Sequence, residues 1–278
     1  MKSYLHPRFL AFMVGLLFFS CSSGDNPDPI ITIPGADYFP LAIANYWTYD
    51  VNGVDNGTNQ DFTGRDSLYI TGTTTINTQS YFDLDASMES IGVMTGILST
   101  GSIRNDSNRM YLTGSLNIPF EGLEGFNIEL DDTVLFDDKA QADFVLSEFS
   151  GQLTDTVQGF PITATYTLKS INGSSLSSYA VNENTYENVI RSKLIVEVSI
   201  TSKAEVLGQT ITFDLLKPQN VLTIENTYAN GVGLVESDSE ISYQLEDFSS
   251  LGVEFPFPST VSIISRQELD IAVVTASN

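Results

Sequence analysis

Along most of the chain, apolar and polar residues alternate with a period of two, and turn-forming residues interrupt the alternation at short intervals. In Ser192 to Thr201 (SKLIVEVSIT), Leu194, Val196, Val198 and Ile200 fall on one face, and Lys193, Glu197, Ser199 and Thr201 on the other. In Ile162 to Lys169 (ITATYTLK), Ile162, Ala164, Tyr166 and Leu168 alternate with threonines. Both patterns predict half-buried antiparallel strands. The same reading places strands at Tyr46 to Val51, Ser67 to Thr71, Ser80 to Asp85, Arg109 to Thr113, Asp143 to Thr156, Thr210 to Leu215, Val221 to Thr227, Leu234 to Tyr243 and Val261 to Ser265. Asn172-Gly173 marks a hairpin turn, and short helices are expected near Asp137 to Ala142 or in Asp247 to Gly252. The predicted class is all-β, mainly antiparallel, with few short helices. No fixed-period repeat is evident, which argues against a propeller or solenoid.

The pattern fails at the front. Lys2 and Arg8 precede a continuous apolar run, Phe9 to Phe19, which is followed by Ser20 and the sole cysteine, Cys21. A basic, apolar, small-residue order is that of a secretory leader, and the run is shorter than the roughly 20 residues that cross a bilayer. Phe18-Phe19-Ser20-Cys21 resembles the lipobox of bacterial lipoproteins, which implies cleavage before Cys21 and palmitate-type acylation of it. Several acyl chains at about 0.8 kcal/mol per buried CH₂ make a lasting membrane anchor. Residues 21–37 (CSSGDNPDPIITIPGAD) lack periodicity and predict a flexible spacer. Residues 38–278 are then expected to form a single β domain, with the acidic stretch around Pro119 to Asp138 as an insertion or a divide. Asp25 and Asp28 look like part of the acidic export signal of Bacteroidota lipoproteins, implying a place on the outer membrane at the cell surface.

Composition removes much chemistry. The sole histidine, His6, lies in the leader, so the mature chain has no imidazole and, with Cys21 acylated, no free thiol. Ser-His-Asp and Cys-His catalysis, zinc or copper sites of His and Cys, and disulfides are thereby excluded. The formal charge of −23 becomes −25 once Lys2 and Arg8 are removed, and the other Lys and Arg are scattered. Nucleic acid is not an expected partner, because phosphate binding needs clustered cations. Two carboxylates suffice for a glycoside hydrolase, but none of the 35 acidic residues stands out as a pair. Asp50 to Gly57 (DVNGVDNG) begins with the carboxylate-x-amide rhythm of a Ca²⁺ loop. Val54 occupies a ligand position and no Glu closes the loop, so a turn is the expectation there and Ca²⁺ the alternative.

Two segments carry a resemblance: Tyr38-Phe39-Pro40-Leu41 with Asn45-Tyr46-Trp47-Thr48-Tyr49, and Tyr228-Ala229-Asn230-Gly231-Val232-Gly233-Leu234-Val235. They resemble the opening and late hairpin of uncharacterised Bacteroidota surface lipoproteins, with Ala44 where those chains have glycine. The resemblance implies a curved sheet or half-open β-barrel of lipoprotein-carrier type, and it assigns no activity. Trp47, the only tryptophan, is read first as a core anchor and second as a sugar-stacking platform. Three readings of function follow. The first is non-enzymatic binding of a lipid, glycan or protein ligand in the concavity of the sheet, with Tyr166 or Phe213 turned inward. The second is an adaptor without a pocket, and the third a carboxylate-dependent glycosidase. Asp66-Ser67-Leu68, Asp132-Thr133-Val134 and Asp155-Thr156-Val157 resemble Bacteroidota O-glycosylation sites, with Ser67, Thr133 and Thr156 as acceptors.

Overall fold

The alternating segments form antiparallel strands longer than the turn residues suggest. The structure, a computed structural model, describes residues 36–118, 126–157, 160–206, 209–247 and 258–275, all inside the compact unit Pro34–Asn278. Cys21, its leader and most of the spacer lie outside the described residues. The chain runs through β1 (Tyr46–Asp55), β2 (Gln60–Ile76) and β3 (Gln79–Asp85), then α1 (Val93–Ser99), then β4 (Ser102–Asp106), β5 (Arg109–Asn117) and β6 (Asn127–Asp137). It continues with β7 (Val145–Val157), β8 (Phe160–Val181), β9 (Asn184–Val206), β10 (Gln209–Ala229), β11 (Gly233–Gln244) and β12 (Thr260–Val273).

These twelve strands join one antiparallel sheet in the order β6-β5-β4-β3-β2-β1-β12-β11-β10-β9-β8-β7. β1 pairs with β12, so both free edges belong to β6 and β7, which follow one another in the chain. The sheet therefore curls until its edges nearly meet, as a nearly closed barrel. Side chains hold the seam. Ser147 Oγ accepts from the Val134 N–H at 3.0 Å, and Ser170 Oγ donates to the Val134 carbonyl. Asn172 Oδ1 accepts from the Asp137 N–H at 3.0 Å, while its Nδ2 donates to the Ala140 carbonyl at 3.0 Å.

The period-two pattern is visible in β9, where Leu194, Val196, Val198 and Ile200 are buried and Glu197 is exposed. Two predicted features fall elsewhere. Asn172-Gly173 is no hairpin turn: both residues lie inside β8, at a register irregularity between Asn172 and Ser175. The chain turns ten residues later, between Val181 and Asn184, with Asn182 at φ +53°. Hydrogen bonds across strands decide this, since Asn172 is drawn into the seam. Asp137 to Ala142 is strand end and turn rather than helix, and of Asp247 to Gly252 only Asp247 is described.

The two segments behind the family resemblance meet in space. Asp37 N donates to Asn230 Oδ1 at 2.7 Å, and Gly231 N donates to the Asp37 carbonyl at 2.7 Å. Trp47 Nε1 donates to the Val232 carbonyl at 2.6 Å, and its ring packs on Phe39 with centroids 4.9 Å apart. Gly233, at φ +113°, has no room for a side chain against that indole. Asn45 ties the opening to the end of the described chain, donating to the Pro40 and Thr275 carbonyls and accepting from the Thr275 N–H. Ala44 takes φ +72°, in the left-handed region where a glycine is at ease.

Candidate functional site

α1 is the only helix among the described residues, and it lies against the inner face of the sheet. Met94, Thr95, Ile97 and Leu98 are buried. Its N-cap, Gly92, offers no side chain to the unpaired N–H groups of the first turn. Distant strands supply the acceptors. The Asp66 carboxylate on β2 accepts from the Ile91 and Gly92 N–H groups at 2.9 and 2.8 Å. Gln267 Oε1 on β12 accepts from Met94 N–H at 3.0 Å, and its Nε2 donates to Thr95 Oγ1. Gly92 presses on Gln267 so closely that a Cβ there would overlap it.

The other side of α1 borders a cleft of about 920 Å³. Val93, Gly96 and Ile97 form its helical wall, the end of β3 contributes Asp85, and the lead-in contributes Met88, Glu89 and Ile91. The opposite wall comes from the sheet: Leu222 on β10, Ser239 and Ile241 on β11, and Ile263 and Ser265 on β12, with Phe62 on β2. Met88 and Ile91 are exposed, at 74% and 44%, so apolar surface continues to solvent. This volume and lining suit a small ligand with a substantial apolar part.

On the inner face, a row of polar side chains crosses five neighbouring strands. The cross-strand pairs are Asn172–Ser192, Ser192–Asn226, Asn226–Ser237 and Ser237–Gln267. All five residues are at most 3% exposed. The ends of the row are committed, Asn172 to the seam and Gln267 to α1. Its middle is not: Ser192 Oγ, both amide atoms of Asn226 and Ser237 Oγ have no hydrogen-bond partner among the described residues. The buried hydroxyls of Tyr49 and Tyr228 share that condition. Burial pushes the Tyr49 phenol well above its usual value, and Tyr228, Tyr186 and Asp66 add to the rise. Burial likewise raises Tyr228; the nearby Ser192 hydroxyl opposes the rise without making a well-formed hydrogen bond. Each orphaned buried polar group costs about 1–3 kcal/mol, so such a row is not a neutral packing choice.

The residues singled out from sequence lie apart from this cleft. Trp47 is 0% exposed and has no surface to offer a sugar. Tyr166 is half-buried, covers Gly151 of β7 and meets Phe126 edge-on at 6.1 Å. Phe213 is half-buried against the core. Neither lines the cleft. Thr133 is 0% exposed and cannot accept a glycan in the folded chain. The Ser67 hydroxyl bonds with Ser87 Oγ, and Thr156 is exposed. In the Asp50 to Gly57 segment, Asp55 Oδ1 accepts from Gly57 and Thr58 N–H, and Oδ2 from Thr58 Oγ1, which is an Asx-type turn. Asp50 faces Arg65 at 3.6 Å. Sequence reasoning missed the cleft because its helical wall, GVMTGILS, has two glycines and no capping side chain. The one available signal was Met88 and Ile91, apolar residues in an otherwise polar stretch.

The chain matches no protein-family model and no curated protein. Among solved structures, a protein described as a candidate lipoprotein from Parabacteroides distasonis is similar to it. The identity is 11%, over 85% of this chain and 99% of that one, with a TM-score of 0.35.

Proposed function

We propose that this is a lipid-anchored protein of the outer membrane, facing the cell surface, that binds an apolar ligand of the acyl-chain class without chemistry of its own. The cleft between α1 and the sheet carries the reading: about 920 Å³, walled by Val93, Ile97, Leu222, Ile241 and Ile263 and open at Met88 and Ile91. The leader and Cys21 supply the anchor. Asp85 and Glu89 at the cleft, with a chain charge of −23, disfavour an anionic headgroup at the mouth. A glycan ligand is less suited, since Phe62 is the one aromatic among the described lining residues.

Calorimetric titration with 1-decanol tests the cleft. Gly96→Leu fills it from the helical wall, where a Cβ meets nothing closer than Ser90 at 3.8 Å. The expected result is saturable binding weakened at least about tenfold by Gly96→Leu, a loss of ~1.4 kcal/mol, with thermal stability retained. Absence of decanol binding to the wild type sinks the reading. The anchor is tested separately: Cys21→Ser is expected to move the protein from the membrane fraction to the soluble one.

A further inference from the structure

We infer that Ser192, Asn226 and Ser237 form a second compartment of the cleft site, which seats an uncharged, hydrogen-bonding end of the ligand once α1 yields. This rests on the apolar-cleft reading and deepens it by specifying the ligand's other half. Four polar atoms without a partner among the described residues stand side by side on β9, β10 and β11. Neighbouring strands are about 4.8 Å apart, so the three residues span roughly 10 Å, the reach of a glycerol or a single sugar.

Their chemistry fixes the class. Two hydroxyls donate and accept, and one amide does both, whereas the row contains no cation or anion. The nearest carboxylate on the inner face of β2, Asp66, is already committed to Ile91 and Gly92. A charged head brought here would be desolvated without a counter-charge, which is prohibitive. A neutral polyol or amide would satisfy donors and acceptors together.

Continuity with the cleft comes from β11 and β12. Ser239 and Ser265, which line the cleft and hydrogen-bond each other at 2.7 Å, lie two residues along from Ser237 and Gln267 on the same strands and face. α1 touches both: Gly96 and Ile97 line the cleft, and Met94 and Thr95 bond to Gln267 at the β12 end of the row.

The test compares 1-decanol with 1-monodecanoylglycerol, both below their aggregation concentrations, by calorimetry on the full chain. Wild type is expected to bind the glyceride at least about tenfold more tightly than the alcohol. Asn226→Leu and Ser237→Ala are expected to keep decanol affinity and to erase most of that preference. Should Asn226→Leu fail to fold, Ser237→Ala and Ser192→Ala carry the comparison. Equal affinities in the wild type, or a preference that survives the substitutions, overturn the polar compartment and leave the cleft standing. Binding of neither probe removes the cleft reading and the compartment with it.

Discussion

Tyr49 and Tyr228 place two neutral phenols in the core with no hydrogen-bond partner among the described residues, and their ionisation is coupled to folding. Both have folded pKa values raised above the ordinary value near 10, chiefly by burial. Their contribution is therefore complete below pH 10 and is lost as pH rises through the folded values, since only the unfolded chain ionises in that window. Each tyrosine removes about 1.4 kcal/mol per pH unit there. Urea midpoints measured from pH 8 to 11.5 should fall steeply in the wild type. The Tyr49→Phe/Tyr228→Phe double variant should fall less steeply by roughly 2.7 kcal/mol per pH unit. At pH 7 it should match the wild type or exceed it, because two unpaired hydroxyls are gone. Parallel curves would show that these phenols are solvated.

Among elements, α1 is the one that depends most on distant residues. Seven residues are too few for an isolated helix to persist in water, and its caps come from Asp66 on β2 and Gln267 on β12, the two strands paired with β1. Asp66→Ala leaves the Ile91 and Gly92 N–H groups without their acceptor, at a cost of about 1–3 kcal/mol each. The expected outcome is a drop of that order in unfolding free energy, with fast amide exchange confined to residues 91–101. A loss spread evenly over the sheet would refute the local role. The same dependence explains what could be read from the chain. β9 and the first half of β8 were legible because each alternates around its own buried face. α1 was not, because Asp66 precedes Ile91 by 25 residues and Gln267 follows Met94 by 173, and no local pattern registers such pairs. Trp47 was legible as a core anchor from its size and surroundings. The cleft was not, since its walls belong to six separate strands and a helix.

At the scale of the whole molecule, the sheet owes its curl to a seam that no ladder closes. β6 and β7 end the strand order, and Asn172 of β8 spans the gap. Its backbone joins in, N donating to the Phe144 carbonyl and O accepting from the Asp143 N–H, both at 2.8 Å. An Asn-Gly pair that reads as a turn in sequence is thus placed inside a strand, where its amide is worth more as a bridge than its backbone would be as a bend. Asn172→Leu keeps the size and removes the bridge, stranding the Asp137 N–H and the Ala140 carbonyl. The expected cost is about 2–4 kcal/mol from two lost partners. Exchange should rise along β6 and the start of β7, while β1 and β12, paired on both sides near the centre of the strand order, keep their protection. If β1 and β12 loosen together with β6, the barrel unfolds as one cooperative unit and the seam is not its weak line. If only β6 and β7 loosen, the barrel opens along the seam by local unfolding.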